Sequence, residues 1–433
     1  MSDGTITITE DTARLKVAMN GRPCIGRIEL AGAKNSALRL LAASLLTSEP
    51  IVLTNYPAPL LDAQIHVGML ERLGKRTTLS GSDRILIEES SPPPHALEWP
   101  GRSIRNTLLI LGCLLARTGE GRVPLPGGCK LGERKYDIHV DIFQKLGARV
   151  WEDGDDLCAS SPGRLIGTDI HLPMRSTGAT ENAVLCASLA EGVTRVWNPH
   201  IRPEIQDLVA MLRSMGAKIE IFGQEHIRIE GVTALGGCDH RVIPDNMEAI
   251  TWLCAAVMTG GDVEIAGFPY ADLEVVLAHL TAAGAQLFRG EKSLVVRGGR
   301  PYPIEVSTGP HPGINSDVQP ILAAWATASK GESRIIDLRF PGRYDYAGQM
   351  ERMGARYNVV GDILTITGGE QRLHGSTVRA LDLRAGAALA LCGLTAKGTT
   401  IIEDAWQIGR GYVHFAEKLR SLGAEVSVEA KPD

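Results

Sequence analysis

The stretch Gln-Lys-Leu-Gly-Ala-Arg-Val (QKLGARV, residues 144–150) joins a helix end to a strand-like segment through one glycine. Glycine suits the left-handed backbone position that ends a helix, and alternating apolar residues suit a strand with one buried face. The phrase occurs six times, and successive glycines lie 73, 69, 68, 70 and 69 residues apart. The copies are ERLGKRT, QKLGARV, RSMGAKI, TAAGAQL, ERMGARY and RSLGAEV, with glycines Gly74, Gly147, Gly216, Gly284, Gly354 and Gly423. A near-constant period predicts a chain built from six repeats.

A small-residue, strongly apolar segment of helical length precedes each copy of this phrase. Such a helix is apolar on nearly every side, and it is therefore predicted to be buried. The six segments are NSALRLLAASLLT, NTLLILGCLLART, NAVLCASLAEG, AITWLCAAVMTGG, QPILAAWATASKG and GAALALCGLTAKG. Each repeat is thus predicted to contain a strand, a buried helix, a strand, an exposed helix and a further strand.

The six repeats are predicted to form two globules of three repeats each, because the chain has no distinct capping repeats of the kind that an open solenoid requires. The segment GCDHRVIPDNMEA (237–249) is the predicted hinge. Strand-like sequence before Lys34 is assigned to the second globule, which gives a second crossing near AGAKN. The predicted domains are therefore residues 34–241 and residues 1–33 plus 242–433.

Composition excludes several classes of function. The chain has 433 residues, 44% hydrophobic and 22% charged, and a net charge of −5, which argues against nucleic-acid binding. No apolar run reaches the roughly 20 residues that span a bilayer, and the amino-terminal segment lacks the apolar region of a signal peptide. Eight cysteines are scattered without a CxxC pair or a metal-type cluster. We expect a cytoplasmic protein without a metal, a membrane partner or a nucleic-acid partner.

Cations stand where the buried helices are predicted to begin. Lys34, Arg105 and Arg384 lie in or beside the segments AGAKN, SIRNT and LDLRAG. A positive charge is unfavourable at a helix amino terminus unless an anion is bound there. These positions therefore indicate an anion site. Ordinary capping is expected from three polar residues at the same helix starts, namely Asn35, Thr107 and Ser316.

A glycine-rich stretch, LPGGCKLGER (125–134), carries a thiol between cations. One interpretation is a turn with a chance cysteine. The other is a reactive Cys129 whose pKa is adjusted by Lys130 and Arg134.

Other residues suited to chemistry are few. Asp317, in HPGINSDVQ, is a candidate general base. Arg134, Arg384, Arg410 and Lys34 are candidates to clamp a doubly charged anion, since arginine forks match carboxylate and phosphate. The chain has no Walker loop, no dinucleotide-binding glycine motif and no zinc pattern.

Six motifs together resemble the enolpyruvyl transferase family, in the family's order and from about residue 25 to residue 427. They are GAKNSAL, LPGGCKLGER, STGATEN, GPHPGINSDVQ, LDLRAG and IGRGY. The resemblance implies two inverse α/β barrels of three repeats each, with a cleft and a hinge between them. It also implies transfer of the carboxyvinyl group of phosphoenolpyruvate to a hydroxyl of a uridine nucleotide, with release of phosphate and without a cofactor.

The resemblance implies roles for individual residues. Lys34 matches a residue beside both substrates, and Asp317 matches the residue that takes the proton of the acceptor hydroxyl. Cys129 matches the lid cysteine that serves in acid chemistry at the enolpyruvate methylene and that fosfomycin alkylates. The remaining matches are substrate-binding positions, namely Asn35, Arg105, Arg134, Asp137, Ser176, Thr177, Gly178, Arg343, Arg384 and Arg410.

Departures from the family pattern lie on the acceptor side. They are Lys135-Tyr136 after Arg134, Met174, Arg202, the Asp245-Asn246 pair and Leu61. Two acceptors stay open: UDP-N-acetylglucosamine, which would place the protein in peptidoglycan precursor synthesis, and the 3′-hydroxyl of UMP, as in nikkomycin- and polyoxin-type antibiotic synthesis. Shikimate 3-phosphate is a distant third. A non-catalytic homologue is the alternative from another class. The oligomeric state is not predicted.

Overall fold

The computed structural model describes residues 7–102, 104–126, 136–369 and 373–430. Within these ranges the chain forms a mixed α/β fold, which confirms the predicted class. The helices are α1 Lys34–Ala43, α2 Leu61–Arg72, α3 Thr107–Thr118, α4 Asp137–Lys145, α5 Thr177–Ser188, α6 Pro203–Ser214, α7 Asn246–Thr259, α8 Tyr270–Ala282, α9 Gln319–Ala328, α10 Asp345–Glu351, α11 Leu383–Thr395 and α12 Phe415–Ser421.

The strands are short. They are β1 Thr12–Ala18, β2 Ile25–Glu29, β3 Ile51–Thr54, β4 Lys75–Leu79, β5 Arg84–Glu89, β6 Glu120–Pro124, β7 Arg149–Asp153, β8 Asp156–Ser160, β9 Asp169–His171, β10 Val193–Trp197, β11 Lys218–Phe222, β12 His226–Glu230, β13 Cys238–Arg241, β14 Asp262–Ala266, β15 Leu287–Arg289, β16 Ser293–Arg297, β17 Glu305–Ser307, β18 Gly331–Ile336, β19 Arg356–Val360, β20 Ile363–Gly368, β21 Thr377–Arg379, β22 Thr400–Glu403 and β23 Glu425–Ala430.

The chain divides into two compact units. The Lys34 unit comprises Gly32–Ala58 and Asp62–Ile243. The Asp317 unit comprises Met1–Ala31, Pro59–Leu61 and Pro244–Asp433.

Each described sheet draws all its strands from one unit. The Lys34 unit contains the sheets β13-β3-β5-β4, β6-β8-β7 and β11-β12-β10-β9. The Asp317 unit contains β15-β16-β14-β2, β17-β18-β20-β19 and β21-β22-β1-β23. In the four-stranded sheets one edge strand pairs in parallel and the other pairings are antiparallel. The first and last described strands pair with each other, with Leu15 opposite Val428.

The six repeated glycines have the predicted left-handed conformation. Their φ is +83° at Gly74 and between +95° and +99° at the other five. Each follows one of the helices α2, α4, α6, α8, α10 and α12, and precedes one of the strands β4, β7, β11, β15, β19 and β23. The prediction omitted one strand of the repeat. In five copies the strand that follows the glycine turns back through a tight hairpin into a second strand. In the sixth copy β1 pairs with β23 instead.

The apolar helices are buried as predicted. In α3 every residue from Thr107 to Ala116 is buried, and in α7 every residue from Asn246 to Met258 is buried. The core of the Asp317 unit includes α7, α9 and α11, with Trp252 and Trp325 fully enclosed. No helix in the described part of the chain is long and apolar enough to cross a membrane.

The predicted helix caps were wrong. Asn35 lies inside α1, and Thr107 is the first residue of α3 with a hydroxyl that has no hydrogen-bond partner among the described residues. Ser316 donates to Asp337 instead. Side chains cap helical segments at other positions. These caps are Ser176, Asp245, Asn315 and Asp382.

Candidate active site

Four charged residues of the Asp317 unit form an alternating chain of acids and bases, here called the Asp317 cluster: Asp317, Arg343, Asp382 and Arg384. Arg343 NH1 lies 3.3 Å from Asp317 Oδ1, and Arg343 NH2 lies 3.1 Å from Asp382 Oδ2. Arg384 Nε lies 3.9 Å from Asp317 Oδ2. The predicted base Asp317 is therefore directly linked to two of the predicted anion-binding arginines.

Helix starts fix the positions of this cluster. The Asp382 carboxylate accepts hydrogen bonds of 2.8 Å from the backbone N–H groups of Arg384 and Ala385, which begins α11. Asn315 Oδ1 accepts a 3.0 Å hydrogen bond from the Asp317 N–H, at the start of a 3₁₀ turn that leads into α9. Arg384 is thus held in the first turn of α11 and Asp317 in the 3₁₀ turn that precedes α9, and the two helices pack against each other.

The guanidinium of Arg384 is enclosed but donates no hydrogen bond within the described structure. Arg384 is 1% exposed, and all three of its side-chain nitrogens lack a described hydrogen-bond partner. Burial disfavours the charged form, but Tyr412, Asp245 and Asp317 outweigh it and raise the pKa of Arg384 above its ordinary value. A buried, charged donor group with unused N–H bonds is suited to an anionic ligand.

The other two predicted arginines also lie in this unit. Burial opposes the charge of Arg343, but Asp317 and Asp382 raise its pKa. Arg410 is 7% exposed, and its NH1 donates a 3.1 Å hydrogen bond to Gln407. Its 3₁₀ turn packs on α11, since an added Cβ on Gly386 would lie 2.7 Å from Ile408 Cγ1.

Lys34 is the first residue of α1 in the Lys34 unit. Its Nζ lies 3.6 Å from Asp62 Oδ2, with the side chains 12% and 6% exposed. Two residues later Ser36 donates a short hydrogen bond to the buried carboxylate of Asp207. His240 Nε2 lies 2.7 Å from the other oxygen of Asp207. This network ties the start of α1 to α6 and β13.

Arg105 and Gly178 lie beside the same buried histidine, His139. An added Cβ on Gly178 would lie 3.1 Å from the His139 ring. Asn182 Nδ2 lies 2.8 Å from His139 Nδ1, so Nδ1 accepts and the ring proton stays on Nε2. Burial and the charge of Arg105 lower the pKa of His139 to about 3. The ring is therefore neutral and presents an N–H donor near the start of α5.

The remaining predicted residues of this unit are also described. Ser176 caps α5, accepting a 3.4 Å hydrogen bond from the Ala179 N–H. Thr177 Oγ1 lies 2.9 Å from His200 Nδ1. Asn35 follows Lys34 in α1, and the exposed Asp137 begins α4.

Two of the predicted site residues, Cys129 and Arg134, lie outside the described residues.

Sequence reasoning missed several residues that interact with the predicted ones: Asp62, His139, Asp382 and Tyr412. Asp382 carried a usable signal, because it stands at the cap position two residues before Arg384. The others meet their partners only through tertiary packing. Across the described ranges no group of His, Cys, Asp and Glu side chains is arranged to hold a metal ion.

Comparisons with known proteins identify the family of the chain. Residues 19–419 match the family model described as EPSP synthase (3-phosphoshikimate 1-carboxyvinyltransferase). The chain is 39% identical over 407 residues to UDP-N-acetylglucosamine 1-carboxyvinyltransferase 1 of Caldanaerobacter subterraneus subsp. tengcongensis, covering 93% of this chain and 97% of that one. It is 40% identical over 407 residues to UDP-N-acetylglucosamine 1-carboxyvinyltransferase of a Caulobacter species, covering 93% and 94%.

A solved structure has the same fold. The enolpyruvyl transferase NikO from Streptomyces tendae superimposes with a TM-score of 0.87 at 24% identity, covering 97% of this chain and 100% of that one.

The chain belongs to the EPSP synthase family of enolpyruvyl (carboxyvinyl) transferases, as its motifs indicated.

Proposed function

We propose that the protein transfers the enolpyruvyl group of phosphoenolpyruvate to the 3-hydroxyl of UDP-N-acetylglucosamine, releasing phosphate, as an early step of peptidoglycan precursor synthesis. Relatives named for this acceptor are 39% and 40% identical over 93% of the chain. The observation that carries the proposal is the Arg384 guanidinium, which is 1% exposed, beside Asp317, and has unused donors.

Phosphoenolpyruvate carries a phosphate and a carboxylate, which together need several cationic donors. Arg384 and Arg410 are proposed to bind these two groups. Arg343 is proposed to assist this binding indirectly, since Asp317 and Asp382 already engage both of its terminal nitrogens at 3.3 Å and 3.1 Å. Lys34 is proposed to add a further positive charge. Desolvated ion pairs of this kind orient a substrate strongly.

The reaction is proposed to run by addition and elimination. Asp317 accepts the proton of the acceptor hydroxyl as its oxygen bonds to C2 of phosphoenolpyruvate, and C3 takes a proton from Cys129. The tetrahedral intermediate then loses a proton from C3 and expels phosphate, which restores the double bond. General acid and base groups typically contribute about 10²- to 10⁴-fold each. Exclusion of water would keep the intermediate from hydrolysis.

The uridine nucleotide is proposed to bind around the start of α5. The absence of a side chain at Gly178 lets the His139 ring pack against the start of α5, where an added Cβ would lie 3.1 Å from the ring. The backbone N–H groups at this helix start are proposed to bind the diphosphate. Arg105 supplies a charge for the diphosphate, and Ser176 and Thr177 lie in the same segment. Asp137 is proposed to contact the uracil, and Arg134 the nucleotide.

A second candidate acceptor is UMP, and one local observation favours keeping it. Arg202, which departs from the family pattern, forms a paired ion bridge with Glu204 at 2.6 and 2.8 Å. Burial opposes the charge on Glu204, but Arg202 lowers its pKa. A carboxylate so engaged is less available to hydrogen-bond a sugar acceptor.

The finer architecture belongs to the same proposal. We infer two inverse α/β barrels of three repeats each, with domains at residues 34–241 and residues 1–33 plus 242–433. The three sheets of each unit and the six left-handed glycines support it. Cytoplasmic location is inferred too, and the free state of every described cysteine supports it.

The test is a product analysis. Purified full-length protein is incubated with phosphoenolpyruvate labelled with ¹³C at C2 and with UDP-N-acetylglucosamine, and the products are examined by NMR and mass spectrometry. The proposal expects the label in a carboxyvinyl ether of the sugar nucleotide. Label that stays entirely in phosphoenolpyruvate, with a folded protein, would overturn it.

A further inference from the structure

We propose that Tyr412 is a positioning residue that holds the Arg384 guanidinium through its ring and leaves the guanidinium N–H groups for substrate. The inference rests on the proposed function in one respect, namely that Arg384 binds an anionic group of phosphoenolpyruvate. It adds a residue that acts through Arg384 rather than touching substrate.

The first support is geometric. The guanidinium carbon of Arg384 lies 5.0 Å from the centroid of the Tyr412 ring, within the range of a cation–π contact. Its nearest carboxylate oxygen, Asp317 Oδ2, is 3.9 Å from Nε, beyond hydrogen-bond distance. An aromatic ring attracts the charge through its face, and the Tyr412 hydroxyl adds a side-chain interaction that also favours the charged form of Arg384. The contact with Tyr412 therefore explains how Arg384 stays buried while all three of its nitrogens lack described hydrogen-bond partners.

The second support is the direction of the hydrogen bonds that fix the ring. Thr251 Oγ1 donates its only proton to the Met247 carbonyl at 2.9 Å. Tyr412 OH lies 2.9 Å from the same Thr251 oxygen, so the tyrosine must be the donor. The phenol proton is thus directed toward α7, away from any role as a donor to substrate.

The third support is packing on the remaining sides. Phe415 meets the Tyr412 ring at 5.1 Å between centroids, and Trp252 backs Phe415 at 5.3 Å. An added Cβ on Gly411 would clash with Leu383 and lie 3.6 Å from Arg384 NH1. The ring can therefore shift little, and it fixes the guanidinium that rests on it.

The experiment compares Tyr412→Leu, Tyr412→Phe and the matched control Phe415→Leu, which truncates the neighbouring ring of the same aromatic cluster. Tyr412→Leu is expected to raise the KM for phosphoenolpyruvate at least about tenfold while the KM for UDP-N-acetylglucosamine changes less than about twofold. Tyr412→Phe keeps the ring, and its KM for phosphoenolpyruvate should stay within about threefold of wild type. Phe415→Leu should lower the melting temperature without the selective change in KM.

A double-mutant cycle with Arg384→Lys separates positioning from general packing. If Tyr412 acts through Arg384, adding Tyr412→Leu to Arg384→Lys should raise the KM for phosphoenolpyruvate by less than about twofold more. Fully additive losses, or equal effects of Tyr412→Leu and Phe415→Leu on both KM values, would overturn the inference. Should Tyr412→Leu fail to fold, Tyr412→Met, which also removes the ring, replaces it in the same cycle: a rise in KM in the Arg384→Lys background equal to that in the wild-type background refutes the positioning role.

Calorimetry with phosphoenolpyruvate and with inorganic phosphate separates this inference from the proposed function. If the wild-type protein binds either anion but shows no turnover, and Tyr412→Leu binds that anion more weakly, the positioning role is supported and the proposed function fails. Wild type that turns over normally alongside an unchanged Tyr412→Leu would leave the function intact and refute the role. Wild type that binds neither anion refutes both.

Discussion

At the scale of single residues, the chemistry that we propose for the Asp317 unit depends on a carboxylate flanked by arginines. Asp317 lies 3.3 Å from Arg343 and 3.9 Å from Arg384, so its negative charge is stabilised in place. A base in this position can accept a proton while both cations continue to face an anionic substrate.

Asp317→Asn keeps the shape of the side chain and removes the base. We expect kcat to fall by about 10²- to 10⁴-fold, because no other group takes the acceptor proton. The matched control is Asp345→Asn, an exposed aspartate of the same unit at the start of α10. Steady-state phosphate release measures both variants, and a kcat of Asp317→Asn within about threefold of wild type would contradict the assignment.

Buried histidines predict a specific loss of stability in mild acid. His66 is fully enclosed, both its ring nitrogens lack described partners, and burial, aided by Arg39, lowers its pKa to about 3. The unfolded chain takes up a proton below about pH 6.5 and the folded chain does not. Stability is therefore full above pH 6.5 and decreases as the pH falls.

Between pH 6.5 and 5.0 each such histidine should cost about 2 kcal/mol of unfolding free energy. Because His139 has the same lowered pKa, His66→Leu should lose about half as much over this window as wild type. Urea unfolding at several pH values measures the difference. Equal slopes for the two proteins would show that His66 does not carry this dependence.

At this scale the sequence indicated two of the cations through the unfavourable position of their charge. Arg384 and Lys34 stood out because cations are unfavourable at helix starts, and both lie in first turns. Tyr412 and His139 could not be found in this way, since an aromatic ring and a neutral imidazole are ordinary core residues until their neighbours are known.

At the scale of elements, one residue both starts a helix and orders the cluster. Asp382 accepts two backbone hydrogen bonds of 2.8 Å at the start of α11 and holds Arg343 NH2 at 3.1 Å. Substitution can separate the two roles, because asparagine caps a helix about as well as aspartate but carries no charge.

Asp382→Asn should therefore keep stability while weakening the Arg343 contact and lowering kcat. Asp382→Ala should lose about 1 kcal/mol of stability as well. Asp345→Asn, the exposed aspartate at the start of α10, again serves as the control for loss of a negative charge in this unit. Thermal unfolding and phosphate release test all variants. If Asp382→Asn and Asp382→Ala lose stability equally, the cap is not the stabilising role.

Local patterns predicted the helices and their ends better than the strands. Gly74 and its five counterparts were readable because a left-handed residue after an apolar helix is a local requirement. The second hairpin strands were missed although β12 and β16 alternate buried and more exposed residues, because each segment is only five residues long. The caps were misplaced at Asn35 and Thr107 because the apolar pattern does not fix the first helical residue.

At the scale of the whole molecule, the chain forms two units whose described sheets share no strand. The Lys34 unit is nearly continuous in sequence, whereas the Asp317 unit joins the two ends of the chain through the pairing of β1 with β23. Each unit contains three of the six left-handed glycines. The pairing of β1 with β23, which joins the chain ends in one sheet, could not be predicted from the spacing of these glycines alone.

The sheets and helices of the Lys34 unit lie between residues 32 and 243, and a polypeptide of those residues should therefore fold by itself. Circular dichroism and dispersed amide resonances in NMR spectra measure this, with the full chain as the control. A soluble fragment without dispersed resonances would contradict two independently folded units, and would weaken the inferred domains.

Enolpyruvyl transfer to UDP-N-acetylglucosamine is the reaction that we propose for this chain. The most direct measurement is phosphate release from phosphoenolpyruvate by the full chain with UDP-N-acetylglucosamine or UMP in parallel, with product masses checked. We predict release with the sugar nucleotide and a product carrying one carboxyvinyl group. Release with UMP alone would contradict the acceptor, and release with neither would contradict the reaction and favour a non-catalytic homologue.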